Sequence, residues 1–141
     1  MRLAVLFVTL LGLGGLFTLS GCGGVTTAGY ENICLDDSGA CVASRSAAFK
    51  ELVDDKQHAW VNRPASRSLH ASGVRMFAFK ATKGQLTCAQ LTAGINEASS
   101  VPGALAGSMP GVSKDRITQA KALAEETRGE LQKVRTSKRC A

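Results

Sequence analysis

Apolar residues recur every three or four positions in several stretches of the chain, which is the spacing of one face of a helix. The first stretch is predicted to begin at Ser44 or Ser46, since either serine can cap a helix, and to run to about Val61. Pro64 ends it, because the residue before a proline avoids the helical region.

The second stretch, over 64–84, allows two interpretations. Its apolar residues follow helical spacing with an interruption at Gly73, but residues 74–80 alone are also typical of a strand. No partner strand is evident elsewhere in the chain, and an isolated strand would leave its backbone polar groups unpaired. We therefore predict a helix here.

The third and fourth helices have clear start signals. Thr87 and Gln90 form a capping box, and this helix is predicted to end before Pro102. Ser113 caps the last helix, whose apolar residues form a seam about 25 residues long, like that of a coiled coil. A Gly- and Pro-rich loop over 102–111 joins the two helices. If they pack antiparallel, the start of the third helix lies beside the end of the fourth.

These elements predict an all-α fold, a small bundle of about four helices. Alanines are frequent in the chain, and few aromatic residues are available for the core of such a bundle. They are Tyr30, Phe49, Trp60, Phe77 and Phe79. A small domain with a thin core needs covalent staples.

The amino terminus has a different pattern. Arg2 is the only charged side chain before Glu31, and residues 3–19 are apolar apart from threonines and glycines. This run of about 17 residues is shorter than the roughly 20 that a membrane-spanning helix needs. A permanent single-span anchor is therefore the less favoured interpretation, and we predict a targeting segment that lies outside the fold.

The targeting segment ends in Leu19-Ser20-Gly21-Cys22, which resembles the lipobox of bacterial lipoproteins. The resemblance covers residues 1–22. It implies that residues 1–21 are a signal peptide removed by cleavage, that the Cys22 thiol receives a diacylglyceryl group, and that the freed amine is acylated, for example with palmitate. Such chains anchor a protein stably to a membrane. In enteric relatives an aspartate after the box cysteine retains the protein in the inner membrane. Gly23 stands there in this chain, which implies the outer membrane, with the domain facing the periplasm.

Residues 22–29 are small, uncharged and Gly-rich, which is typical of a flexible tether. The folded periplasmic domain is therefore predicted over residues 30–141. With 141 residues in all, the chain has the length of one small domain.

Four of the five cysteines remain once Cys22 is assigned to the lipid, and an even number in an exported chain predicts two disulfides. Four cysteines allow three pairings. We favour Cys34 with Cys41, because a turn-forming Asp-Asp-Ser-Gly cluster separates them. Cys88 then pairs with Cys140, which agrees with an antiparallel arrangement of the last two helices.

Known patterns of metal and catalytic sites are absent from the sequence. There is no C-x-x-C pair, no H-E-x-x-H, no G-x-S-x-G and no Gly-rich phosphate loop. His58 and His70 are not spaced as metal ligands and are expected at the surface or at its boundary. Asp54 and Asp55 point about 100° apart on a helix, so they cannot act as a carboxylate pair. We predict no metal, no cofactor and no enzymatic activity.

Charge is unevenly distributed along the chain, which has 17 Lys and Arg, 11 Asp and Glu, and a net charge of +6. Residues 31–55 carry six acids and two bases, whereas residues 56–83 carry six bases and no acid. Opposite charges on neighbouring helices are the favoured interpretation. The alternative is that the basic segment contacts an anionic partner, such as membrane phosphates, lipopolysaccharide or an acidic protein. The contacts would be made by Arg63, Arg67, Arg75, Lys80 and Lys83. Nucleic acid is not expected as a partner of an exported protein.

The sequence therefore predicts a lipoprotein that acts by binding, as an accessory subunit of an envelope assembly with a protein partner. A more specific version is a pilotin-like secretin chaperone, because pilotins are also small lipoproteins with helical periplasmic domains. That resemblance is one of architecture and carries no motif. The alternative of another class is a small envelope hydrolase, which would need His58 or His70 in a pocket within hydrogen-bond reach of a nucleophile.

Overall fold

The computed structural model describes residues 33–141. Cys22, the lipobox and the tether lie outside the described residues. Five α-helices and one short 3₁₀ helix make up the described part of the chain, which contains no strand. They are α1 (Gly39–Asp54), the 3₁₀ helix (Ala59–Asn62), α2 (Arg67–Ser72), α3 (Val74–Thr82), α4 (Cys88–Ala104) and α5 (Lys114–Ser137). The predicted all-α bundle is confirmed.

The first helix begins earlier and ends earlier than the sequence pattern indicates. Ser38 is its cap, because the Ser38 hydroxyl accepts a hydrogen bond from the Cys41 backbone N–H. The chain leaves the helix after Asp54, where the Asp55 carboxylate accepts hydrogen bonds from the backbone N–H groups of Gln57 and Ala59. These bonds start a separate 3₁₀ turn in place of the predicted continuation to Val61.

Residues 74–80 are helical, as predicted, but Gly73 divides the second segment into two helices. Gly73 has a φ of +73°, in the left-handed region that ends α2 and starts α3 at a new angle. Helix α3 packs against α1, α2 and α5, and its Met76, Ala78 and Phe79 are fully buried. Phe77 was expected in the core and is instead 52% exposed.

The contact between α4 and α5 is the most extensive one between two helices of the described residues. The Thr87–Gln90 capping box and the Ser113 cap are both present. Helix α4 continues through Pro102 to Ala104, so the connecting loop is shorter than predicted. Within residues 33–141, no helix combines the length and the apolar character needed to cross a bilayer.

Both predicted disulfides are present. The Cα atoms are 5.7 Å apart in Cys34–Cys41 and 5.5 Å apart in Cys88–Cys140. The second bond joins the start of α4 to the residues just after α5, so the two helices run antiparallel, as predicted.

Candidate functional site

Arg75, one of the predicted contacts for an anionic partner, is inside the protein. Its side chain is 3% exposed and forms an ion pair with Glu97 of α4. Its Nη1 atom donates to the backbone carbonyls of Trp60 and Arg63, each at 3.0 Å, and its guanidinium lies 5.3 Å from the centre of the Trp60 ring. The expectation that Arg75 meets an external anion is therefore wrong, because the guanidinium is buried and Glu97 balances its charge.

The other cations of the basic segment differ in their surroundings. Lys80 forms ion pairs with Glu126 at 2.5 Å and Glu130 at 3.3 Å, and Lys83 also pairs with Glu130. Arg67 donates to the backbone carbonyls of Ala104 and Ala106. Arg63 is exposed and makes no ion pair with any residue of 33–141. Attraction between neighbouring helices thus accounts for Lys80 and Lys83, although the acids come from α5 and not from the acidic stretch before residue 56.

The two histidines are buried, in contrast to the surface or boundary position expected from the sequence. His58 is 3% exposed and His70 is 6% exposed. His70 Nδ1 lies 3.9 Å from Glu97 Oε1, and neither atom has a hydrogen-bond partner among the described residues. Burial, with a contribution from Arg75, lowers the pKa of His70 below its usual value, so the imidazole is neutral at pH 7. Burial also raises the pKa of Glu97, and the Arg75 guanidinium opposes that rise.

Neither histidine lines any of the grooves described below. Residues 33–141 hold no group of three or more His, Cys, Asp or Glu placed to bind a metal ion. All four cysteines of this part of the chain are in disulfides.

An apolar groove lies beside the exposed Phe77 ring. It has a volume of about 540 Å³. Its lining comprises Phe49 of α1, Phe77, Lys80, Ala81 and Lys83 on and after α3, and Glu130 of α5. The two lysines at the rim pair with Glu130 and with Glu126 beside it, so the rim is close to neutral. A groove with an aromatic floor and a neutral rim suits the apolar side chains of a partner.

Sequence reasoning missed this groove because it assigned Phe77 to the core. The helical register of α3 contained the signal. Met76 and Phe79 are three residues apart and share a face, whereas Phe77 is rotated about 100° from Met76. Because the core-facing arc of α3 is already filled, Phe77 lies at the edge of that arc, where α1 leaves it half-exposed.

A second groove lies at the loop between α4 and α5. It has a volume of about 430 Å³ and is lined by residues 107–109, 112, 114, 117 and 118. Met109, Val112 and Ile117 supply its apolar surface, and Lys114 supplies a cation.

Comparison with known proteins gives no match to any family model, curated protein or solved structure.

Proposed function

We propose that this protein is an outer-membrane lipoprotein anchored through Cys22, with its helical domain in the periplasm, and that it acts as a non-catalytic binding subunit of an envelope assembly. The arrangement of the cysteines is the main support. Residues 34, 41, 88 and 140 are paired with each other, which leaves Cys22 as the one cysteine without a cysteine partner in the chain. Two disulfides also suit an oxidising compartment outside the cytoplasm.

The groove at Phe77 supports the binding role. Exposure of a large aromatic side chain costs free energy unless a partner covers it, since burial of apolar surface contributes about 25 cal/mol per Å². The occupant proposed here is an apolar segment of an envelope protein, because the ion pairs of Lys80 and Lys83 with Glu126 and Glu130 leave no net charge at the rim for a charged ligand.

The anchor is tested by the mass of the amino-terminal peptide of the mature protein. In the wild type this peptide is expected to begin at Cys22 and to carry acyl chains. Cys22→Ser is expected to accumulate as an unprocessed precursor without lipid. Ser20→Ala keeps a small residue in the box and serves as the matched control, with wild-type processing. A Cys22→Ser protein that is still cleaved and acylated contradicts the proposal.

The groove is tested by a photo-crosslinking residue at Ala81, which is exposed and lines it. A crosslinked envelope protein is expected in intact cells, and Phe77→Ser is expected to abolish it. Val42→Ser is the matched control, because Val42 is the other large apolar side chain that is exposed in residues 33–141, at 45%, and it does not line this groove. Adducts from Ala81 that are insensitive to Phe77→Ser refute the groove as the binding site. Identification of a secretin in the adduct assigns the pilotin-like role.

A further inference from the structure

One flank of α5 carries cations at a constant spacing. Four cations follow one another along the helix at intervals of seven residues: Lys114, Lys121, Arg128 and Arg135. Seven residues are close to two helical turns, so the four side chains leave the helix on the same side. The row is roughly 30 Å long, at 1.5 Å per residue.

This row keeps its charge in the folded protein. Lys114 and Lys121 form no ion pair with any residue of the described range. Arg128 pairs with Glu125 on the exposed surface of the same helix, and Arg135 donates to the backbone carbonyl of Ala141. An exposed pair such as that of Arg128 is weak and is easily exchanged for another anion.

The neighbouring helices do not neutralise the row. Helix α4 has a single charged residue, Glu97, and that carboxylate pairs with the buried Arg75. The other acids in the second half of α5, Glu126 and Glu130, pair with lysines of the α3 segment. Glu125 is the one acid of α5 that pairs with a member of the row, so the four cations of the row outnumber the acid beside them.

The amino-terminal end of the row lies beside apolar surface and close to the point where the chain enters the domain. Lys114 lines the groove at the α4–α5 loop together with Met109 and Val112. Arg116, in the first turn of α5, forms an ion pair with Asp37, which lies just before α1. Cations, an apolar groove and the incoming chain therefore meet at one end of the molecule.

We propose that the Lys114–Lys121–Arg128–Arg135 row binds the phosphate head groups of an anionic bilayer, so that α5 lies along the membrane surface. An even row of cations next to partly exposed apolar side chains is the combination that binds the surface of anionic membranes. A planar array of phosphates can contact every member of a straight row, which favours a bilayer over a compact acidic protein. The orientation rests on the proposed anchor at Cys22: the residues between Cys22 and Ile33 can span at most about 37 Å, comparable to the length of α5.

The test is amine-reactive labelling of the full-length protein on nanodiscs, read out by mass spectrometry. One set of nanodiscs contains phosphatidylcholine only, and the other contains added phosphatidylglycerol. The labelling rates of Lys114 and Lys121 are expected to be at least several-fold lower on the anionic discs and to recover in high salt. Lys56 and Lys133 are internal controls with unchanged rates. Lys133 lies about 140° around the helix from Arg128.

Charge variants complete the test. Each cation near an anionic surface contributes about five-fold to association, so Lys121→Gln with Arg128→Gln is expected to weaken it about 25-fold and to remove the protection of Lys114. Lys56→Gln with Lys133→Gln removes the same charge elsewhere and is expected to leave that protection intact.

Several outcomes overturn the proposal. They are equal labelling on both kinds of disc, equal protection of all four lysines, and protection that is absent on the discs but present when native membranes are labelled in parallel, which assigns the row to a protein partner. The digest also contains the peptide that begins at Cys22, so its acyl mass tests the anchor separately. Protection of Lys114 and Lys121 together with an unacylated Cys22 supports the surface and refutes the anchor.

Discussion

Replacement of Gly94 by alanine tests how closely α3, α4 and α5 approach one another. A Cβ atom at this position would lie 2.7 Å from Cε1 of Phe79 and 2.9 Å from Cδ1 of Leu131. Carbon atoms that are not bonded prefer about 3.5–4.0 Å, so a neighbour must move. Phe79 and Leu131 are both 0% exposed, and overpacking of such a core costs about 1–3 kcal/mol.

Gly129 provides the matched control on α5. No atom lies within 4 Å of a Cβ added there, so Gly129→Ala is expected to gain only the helix propensity of alanine, about 1 kcal/mol. Gly94→Ala is expected to gain a similar amount of stability from helix propensity, but the steric clash is expected to lower its stability. The difference between the two variants therefore isolates that cost, at about 1–3 kcal/mol of unfolding free energy.

The measurement is urea unfolding of both variants, followed by circular dichroism and extrapolated linearly to water. If Gly94→Ala proves as stable as Gly129→Ala, the close approach of the three helices is refuted.

Three other changes test the disulfide, the buried ion pair and the buried histidine. Replacement of Cys88 and Cys140 by alanine removes a link between residues 52 positions apart and is expected to lower the free energy of unfolding by about 4 kcal/mol in the loop-entropy model; an unchanged urea midpoint contradicts this. Glu97→Gln leaves the Arg75 guanidinium buried without the Glu97 carboxylate that pairs with it, and is expected to lower the free energy of unfolding by about 3–5 kcal/mol. A double Arg75→Met, Glu97→Met variant buries no charge at this site, so it is expected to unfold at a higher urea concentration than Glu97→Gln. A lower urea midpoint for the double variant contradicts this prediction. The pKa of His70 is lowered from 6.5, so the unfolded chain binds a proton at higher pH than the native protein does. Stability is therefore expected to fall as the pH drops below about 6.5, and a wild-type curve parallel to that of His70→Gln speaks against this.

Features set by neighbouring residues were predictable from the sequence. The Thr87–Gln90 capping box and the Ser113 cap depend on groups within three residues of each other, and both are present. The Cys88–Cys140 bond followed from one further step, the antiparallel packing of the two longest helices.

Features set by competition between local alternatives were harder to predict. Ser38, Ser44 and Ser46 all have the chemistry of a helix cap, and the sequence pattern does not rank them. In the structure the Arg45 guanidinium donates to the carbonyls of Cys34 and Asp36, and it thereby fixes the segment before α1 in a position where Ser38 caps the helix. That choice depends on tertiary contacts of the turn and not on its own propensity.

The burial of polar residues could not be predicted from the sequence pattern for a related reason. A histidine or arginine inside an apolar stretch is assigned to the surface unless its partner is known. The partner of Arg75 is Glu97, 22 residues away, and the backbone carbonyls of Trp60 and Arg63 complete its surroundings. No spacing rule links positions that meet only after α4 folds back on α3.

The cationic surface of the folded protein does not lie where the distribution of charge along the sequence predicts it. Along the sequence, residues 56–83 carry six bases and no acid, and an anionic partner would be sought there. In the structure Lys80 and Lys83 pair with Glu126 and Glu130, which lie 46 and 47 residues further along the chain. Each of these pairs also removes an acid from α5. The same contacts that neutralise the basic segment therefore leave α5 with an excess of cations on its opposite flank, so the surface that attracts anions lies on a helix whose own sequence has almost balanced charge.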